Sequence, residues 1–402
     1  MSAIGSPIDL ATDLAPALAG LCDTAAEVAR TVLAPAAEAV DREGAWPAAG
    51  MAALAASGLT ALHIPLRLGG HEQGLLALAV VTEELGRACS STAMCFGMHS
   101  VAAKVLAAKA TADQEERFLR PIAEGRHITT LALSEPGTGV HFFLPRARFR
   151  PDGAGVDSDG GYVLDGEKSF VTNGGHADSY VVSAVPPGAE LDPGAFTCLA
   201  VERGAQGLEW GKPWQGFGMR GNSSRSLRLN GVRIPGANLL GAEGDQIWYV
   251  FEVVAPYFLI AMAGVYLGIA RAALDEAVAH LKQRHHDHTG ESLSEIPVLW
   301  HQVAQAWTEI EATRQLVRHA ARQGDHGAPQ APLALFAAKA KVAETVTAVT
   351  ETAMMLMGGR GYAESGRIGR LHRDARAAHV MSPTTHLLNT WLGRSLLDLP
   401  LL

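Results

Sequence analysis

Apolar and polar positions fall into three textures along the chain. From about Asp9 to Gly125, alanine and leucine recur with few turn signals beyond IPLRLGGHEQGL, which predicts a helical domain. From about His127 to Pro235 the helix formers thin out into short alternating runs such as YVLDGEKSFVTNGG and SRSLRLNGVRIPG, which predict strands. Within LDGEKSFV, Asp165-Gly166 suits the two left-handed positions of a tight hairpin turn. From about Gly241 long helices return. Leu335, Ala338, Val342, Val346, Val349, Ala353 and Leu356 step by three or four into one apolar stripe, and Gly358-Gly359 predicts its end. The expected fold is mostly α with a β domain: a helix bundle over 1–126, a small β domain over 127–237 and a four-helix bundle over 238–402.

Composition narrows the function classes. Of 402 residues, 48% are hydrophobic and 18% charged, as in a packed globular protein. A net charge of −8 opposes binding to nucleic acid or to an anionic membrane surface. Cys22, Cys89, Cys95 and Cys198 are scattered without a CxxC pair, so neither a zinc knot nor a disulfide framework is expected. The opening MSAIGSPIDLATDLAPAL carries aspartates where an export signal needs a basic region and an apolar run, and a cytoplasmic location is expected. Val253 to Ala270 is uncharged over 18 residues, near the lower limit for a bilayer span. It holds Pro256, Gly264 and Gly268 and continues as the amphipathic ARAALDEAVAHLKQR, so a buried helix and no membrane span are expected. His285 and His288 in RHHDHTG can share a helical face as metal ligands, but no metal is expected.

Four motifs, in order and in these textures, carry a resemblance. They are ALSEPGTG (Ala132 to Gly139), DGEKSFVTNGGHAD (Asp165 to Asp178), MRGNSSRSLRLNGVRIP, and MGGRGY followed by LHRDAR. Together they resemble the acyl-CoA dehydrogenase family of flavoproteins over nearly the whole chain. The resemblance implies that family's fold, FAD as cofactor, an acyl thioester on coenzyme A or a carrier protein as substrate, an electron acceptor such as an electron-transfer flavoprotein, and a homotetramer or homodimer. It places Ser134, Gly139, Val140, Phe170, Thr172, Thr384 and His386 at the flavin. Arg284 and the Gly358-Gly359 loop would serve the pyrophosphate of a neighbouring subunit's FAD. A flat ring also needs an aromatic wall and hydroxyl partners on physical grounds alone, which Phe170, Thr172 and Ser134 supply.

The chemistry of the family requires a carboxylate for the α-proton while the flavin takes the β-hydrogen. The resemblance puts that glutamate nine residues after Arg373, where this chain has Ser382. The alternative place, ten residues before Gly268, holds Phe258, a substrate-side position together with Val140. Serine is a poor base unless activated, whereas imidazole titrates near neutrality, so His386, His379 and His99 are the candidate replacements, with Glu252 a further one. Each of these histidines also has a plain structural reading. Arg146, Arg148 and Arg150 alternate and either meet a coenzyme A phosphate or face solvent. Three functions stay open: dehydrogenation with a displaced base, a flavin monooxygenase on the same fold, and a non-catalytic flavoprotein.

Overall fold

The structure, a computed structural model, describes residues 14–153, 160–190, 192–243, 245, 248–364 and 366–401. The opening aspartates, Asp9 and Asp13, lie outside the described residues. Seven helices come first: α1 Pro16–Val28, α2 Ala34–Glu43, α3 Ala48–Ala56, α4 Leu75–Ala88, α5 Ser90–Ala108, and the short α6 Ala112–Gln114 and α7 Arg120–Ala123. Eight strands follow: β1 Thr129–Ala132, β2 Arg148–Pro151, β3 Gly161–Val171, β4 Ser179–Ala184, β5 Thr197–Glu202, β6 Leu208–Trp210, β7 Arg225–Pro235 and β8 Leu239–Leu240. Among the described residues six α-helices follow: α8 Ala255–Gln283, α9 Pro297–Asp325, α10 Ala331–Met357, α11 Arg367–Ala375, α12 Ala377–Val380 and α13 Thr385–Leu396.

The strands form two four-stranded sheets, ordered β1-β4-β5-β8 and β2-β3-β7-β6. Phe149, Leu164 and Leu227 of one sheet share a core with Tyr180, Val182 and Leu199 of the other. β8 lies just past residue 237 and pairs with β5 through Cys198–Leu240 and Leu199–Leu239. The expected hairpin at Asp165-Gly166 is not formed. β3 runs straight through it, and its pairing with β7 slips between Leu164 and Gly166. Gly166 adopts φ +152°, and a Cβ there would stand 2.6 Å from the Ala147 Cβ. The Asp-Gly pair therefore makes a bulge that lets β2 approach, rather than a turn.

The apolar stripe from Leu335 to Leu356 is buried along α10, which stops where Gly358 turns to φ +56°. The uncharged run becomes α8. Together with the preceding π-helical Tyr249–Val254 it is the one stretch among the described residues long and apolar enough to cross a membrane, and it is buried at the centre of the bundle. Its glycines explain the position: a Cβ on Gly268 would meet the Glu83 carbonyl oxygen at 2.3 Å, and one on Gly264 the Thr82 hydroxyl at 2.0 Å. α4 and α8 are thus in backbone contact. Arg271 of α8 bonds Glu83 (3.1 Å) and Glu84 (2.7 Å) of α4, and Arg314 of α9 reaches Glu83 at 3.0 Å.

Gly268→Ala tests that contact. Helix propensity favours alanine by about 1 kcal/mol, but overpacking against main chain costs about 1–3 kcal/mol, so the balance is destabilising. A variant melting at or above the wild-type temperature would show that the two helices have room to part.

Candidate active site

A cleft of about 660 Å³ opens where the β domain meets the C-terminal bundle. Its walls are Leu133–Val140 after β1, Ser169–Thr172 at the end of β3, Trp214–Ser224 before β7, the start of α8 with Phe258, and Ala377–Pro383 after α11. Each wall is held by polar contacts made by its neighbours. Glu135 accepts from the Lys168 ammonium (2.5 Å) and from the main-chain N–H groups of Arg146 (2.6 Å) and Ala147 (3.1 Å). Lys168 also donates to the Ser183 carbonyl (2.6 Å) and hydroxyl (3.0 Å). Burial lowers the Lys168 pKa below lysine's usual value, and the Glu135 charge opposes that fall. The Ser134 carbonyl accepts from the Ser169 N–H at 2.7 Å, which joins the first loop to β3.

The second wall presents aromatic surface. Phe170 has φ +53°, a sparsely populated region for an aromatic residue, and its ring is 67% exposed and edge-on to Trp214 at 6.1 Å. The buried Trp214 indole Nε1 has no hydrogen-bond partner. Thr172 and Ser224 share a hydroxyl hydrogen bond of 3.1 Å. An exposed ring, an unpaired donor and adjacent hydroxyls suit a flat heteroaromatic group with a polar edge, and so fit the ring system of FAD.

The Arg-Asp pair of LHRDAR is structural. Arg373 bonds Asp41 of α2 and donates to the Phe217 carbonyl at 3.0 Å. Asp374 is buried, accepts from the Ser90 hydroxyl and from the Met219 N–H (2.7 Å), and has its pKa raised by burial. The pair ties the N-terminal helices and the loop before β7 to α11, which fixes the start of the wall that carries Ser382. There the Ser382 hydroxyl donates to the Val140 carbonyl at 2.9 Å, across the mouth of the cleft.

Ser134, Gly139, Val140, Phe170, Thr172, Phe258 and Ser382 therefore come together on one cleft. The other candidates stand elsewhere. His99 is in the core: its Nδ1 accepts from the Thr129 N–H (3.1 Å), so its Nε2–H donates to the Thr60 carbonyl (2.9 Å). Burial lowers its pKa to about 4, and both nitrogens are used. It is a structural histidine. His386 is exposed on α13 and does not line the cleft. His379 lies behind the wall, 3.1 Å from the hydroxyls of both Thr385 and Thr347. Glu252 is exposed. Thr384 caps α13, its hydroxyl accepting from the Leu387 N–H at 3.3 Å. Arg284, Gly358 and Gly359 are exposed at helix ends and line no part of this chain's cleft. Among the described lining residues Glu135 is the only carboxylate, and none is an imidazole. Trp214 and Glu135 were not foreseen as site residues. Glu135 stands in the quoted ALSEPGTG motif, whereas Trp214 sits in GKPWQGFGM, which has no periodicity to place it.

Two measurements check these assignments. His99 keeps its neutral form in the fold, with a pKa of about 4 against 6.5 unfolded, so the unfolded chain binds the extra proton. Its contribution to stability is complete above pH 6.5 and is lost as pH falls toward 4, by about 3 kcal/mol in all. Denaturant melts across that range should slope accordingly, and His99→Gln should flatten the slope; an unchanged slope would remove the assignment. Lys168→Met leaves Glu135 buried without its counter-charge and should cost about 3–5 kcal/mol and abolish FAD uptake. Full FAD occupancy in that variant would show that the loop holds without the pair.

Comparison with known families matches residues 18–126 to the acyl-CoA dehydrogenase N-terminal domain, 130–232 to the middle domain and 256–397 to the C-terminal domain. The chain is 31% identical over 376 residues to cyclohex-1-ene-1-carbonyl-CoA dehydrogenase of Geobacter metallireducens, covering 93% of this chain and 96% of that one. Butyryl-CoA dehydrogenase from Megasphaera elsdenii superimposes with a TM-score of 0.89 at 27% identity, over 97% of this chain and all of that one (100%). A structure of the electron transferring flavoprotein of Acidaminococcus fermentans gives 0.88 at 28% identity, over 97% of this chain and 100% of that chain. With the same three domains in the same order, and a cleft whose walls suit a flavin, the chain belongs to the acyl-CoA dehydrogenase family of FAD-dependent oxidoreductases acting on CH–CH bonds.

Proposed function

We propose that this enzyme dehydrogenates an acyl thioester, carried by coenzyme A or a carrier protein, across its α,β bond. The observation that carries the reading is Ser382: it lines the cleft, and its main-chain N–H donates to no described residue. That donor is available to a thioester carbonyl, and a hydrogen bond there stabilises enolate character and acidifies the α C–H, worth a few kcal/mol. FAD held against Phe170, Thr172 and Ser134 would supply a hydride acceptor for the β-hydrogen. Met98, Leu131, Leu133 and Phe258 give the acyl chain an apolar bed. The Ser382 hydroxyl donates its hydrogen bond to the Val140 carbonyl and keeps lone pairs that accept hydrogen bonds, not protons, near neutrality. No described lining side chain is free to take the α-proton, so we assign its acceptance to a basic solute entering the open cleft, hydroxide or a buffer anion, and expect wild-type turnover to be slow.

Butyryl-CoA dehydrogenase and cyclohex-1-ene-1-carbonyl-CoA dehydrogenase support the thioester class. The likeness to the Acidaminococcus chain supports an electron-transfer flavoprotein as electron acceptor. A homotetramer or homodimer is proposed because the Arg284 guanidinium bonds no described residue and the Gly358-Gly359 loop is exposed beside the bared Tyr362. Four free, buried cysteines support a cytoplasmic location. A second reading, flavin-dependent oxygenation, is favoured by one observation: no unpaired carboxylate or imidazole stands among the described lining residues.

Ser382→Glu decides between them. A positioned base typically contributes about 10²–10⁴-fold, so the variant should bleach its flavin with a saturated acyl thioester about that much faster than wild type under anaerobic conditions. If the FAD-loaded variant binds the thioester and shows no gain over wild type with any chain length, the pocket is closed to dehydrogenation of simple acyl thioesters. Oxygen uptake by the reduced wild-type protein with an added substrate would then favour the second reading.

A further inference from the structure

Lys339 lies midway along α10 and is fully buried, yet among the described residues no carboxylate forms an ion pair with it. Its ammonium donates to three main-chain carbonyls: Ala378 at 2.8 Å, Pro383 at 2.9 Å and Met381 at 3.2 Å. Lysines normally run their stems over apolar surface and keep the head in water, so a head turned inward needs a compensating task. Here three N–H bonds meet three converging carbonyls. These oxygens belong to α12 and the stretch after it, the segment that brings Met381, Ser382 and Pro383 to the cleft.

We propose that Lys339 is a positioning residue for the cleft: by gathering the main chain of residues 378–383 it sets where the N–H and hydroxyl of Ser382 stand. The functional consequence rests on the reading of Ser382 as the donor to a thioester carbonyl. α10 is a firm post, since its other face is the buried Leu335–Leu356 stripe. The segment's other ties are Ser382 to Val140, the Tyr266 hydroxyl to the Met381 sulfur at 3.0 Å, the Met381 N–H to Ala377, and His379 to the hydroxyls of Thr385 and Thr347 at 3.1 Å each. An ammonium has three N–H donors, whereas the neutral amine has two and turns a lone pair toward the third carbonyl, so deprotonation removes one of the bonds.

Burial lowers the Lys339 pKa to about 7. In the folded protein the ammonium is therefore held below that pH and given up above it, so the wall is tight on the acid side and loosens as pH rises through neutrality. The ionisable groups on the surrounding elements are Glu344 on α10 itself, His379 on α12, His386 on α13, Tyr266 on α8, Asp374 on α11 and Arg376 just after it. Of these His379 senses the Lys339 charge, after burial as the main cause of its own lowered pKa, and it is the group a control must remove.

The test compares FAD-loaded wild type, Lys339→Met and His379→Gln by hydrogen exchange of residues 376–388, corrected for intrinsic rates, and by the dissociation constant for butyryl-CoA. At pH 6.5 Lys339→Met should exchange about tenfold faster in that segment alone and bind butyryl-CoA about tenfold more weakly. Between about pH 6 and pH 8.5 wild type and His379→Gln should both loosen by about threefold, with Lys339→Met unresponsive. Equal exchange in Lys339→Met and wild type overturns the proposal, and so does a pH response lost in His379→Gln. If Lys339→Met does not fold, the pH series in the other two proteins decides alone. If wild type binds no butyryl-CoA, the thioester reading fails while the exchange measurements still decide the role of Lys339.

Discussion

The cleft depends first on Lys168 meeting Glu135 inside the β domain. Burying two charges costs several kcal/mol per ion, and a pair in that setting is tolerated only when every remaining donor and lone pair is matched. Here they are: Ser183 takes two of the ammonium's protons, and the N–H groups of Arg146 and Ala147 meet the carboxylate. The same need makes the loop from Leu133 to Ala147 rigid, because any excursion would strand a charge. Rigidity at Glu135 is what presents Gly139 and Val140 at a fixed edge of the cleft, and the Val140 carbonyl is where the opposite wall is fastened.

A common design runs around the site. Buried and half-buried charges stand mostly one layer behind its walls and hold main chain rather than ligand: Arg373 grips Asp41 and the Phe217 carbonyl, Asp374 accepts the Met219 N–H, and Lys339 gathers three carbonyls. Among the described residues Glu135 alone of these charges reaches the lining. The inner surface is thereby left apolar and aromatic, as a flavin and an acyl chain require, while the hydrogen-bonding main chain around it is pinned. Walls drawn from five distant segments of the chain depend on such long-range ties, since no local periodicity brings them together.

How much of this was legible follows from the range of each signal. The stripe on α10 was readable because a 3.6-residue period is a property of the helix itself, and the α8 run was readable as buried because its glycines and proline suit close packing. Asp165-Gly166 misled because the same dipeptide serves a turn or a bulge, and only the approach of Ala147 selects the bulge. The motifs brought Ser134, Phe170, Thr172 and Ser382 to one cleft, but His99 and His386 were drawn from proximity in sequence or helix, and their outward or coreward directions are set by packing. Lys339 follows Ala338 of the apolar stripe and reads as a solvated neighbour; what turned it inward was a set of carbonyls 39 to 44 residues away.

Ser382 shows how the same loop can trade one kind of stability for another. A carboxylate on an apolar wall is partly desolvated, which raises its pKa and suits it to take a proton, but its charge finds no partner until substrate arrives. A serine at that point carries no charge and closes a hydrogen bond to Val140, worth about 1 kcal/mol, that fastens the two jaws of the cleft to each other. The resting enzyme is then better satisfied and less reactive. On the proposed reading the main-chain donor at Ser382 is independent of the side chain, so the carbonyl-polarising half of the chemistry would survive without a carboxylate there. On that reading such a site would favour substrates whose α C–H is already acidic over simple saturated chains, because the weaker the acceptor, the more of the acidity the substrate must supply.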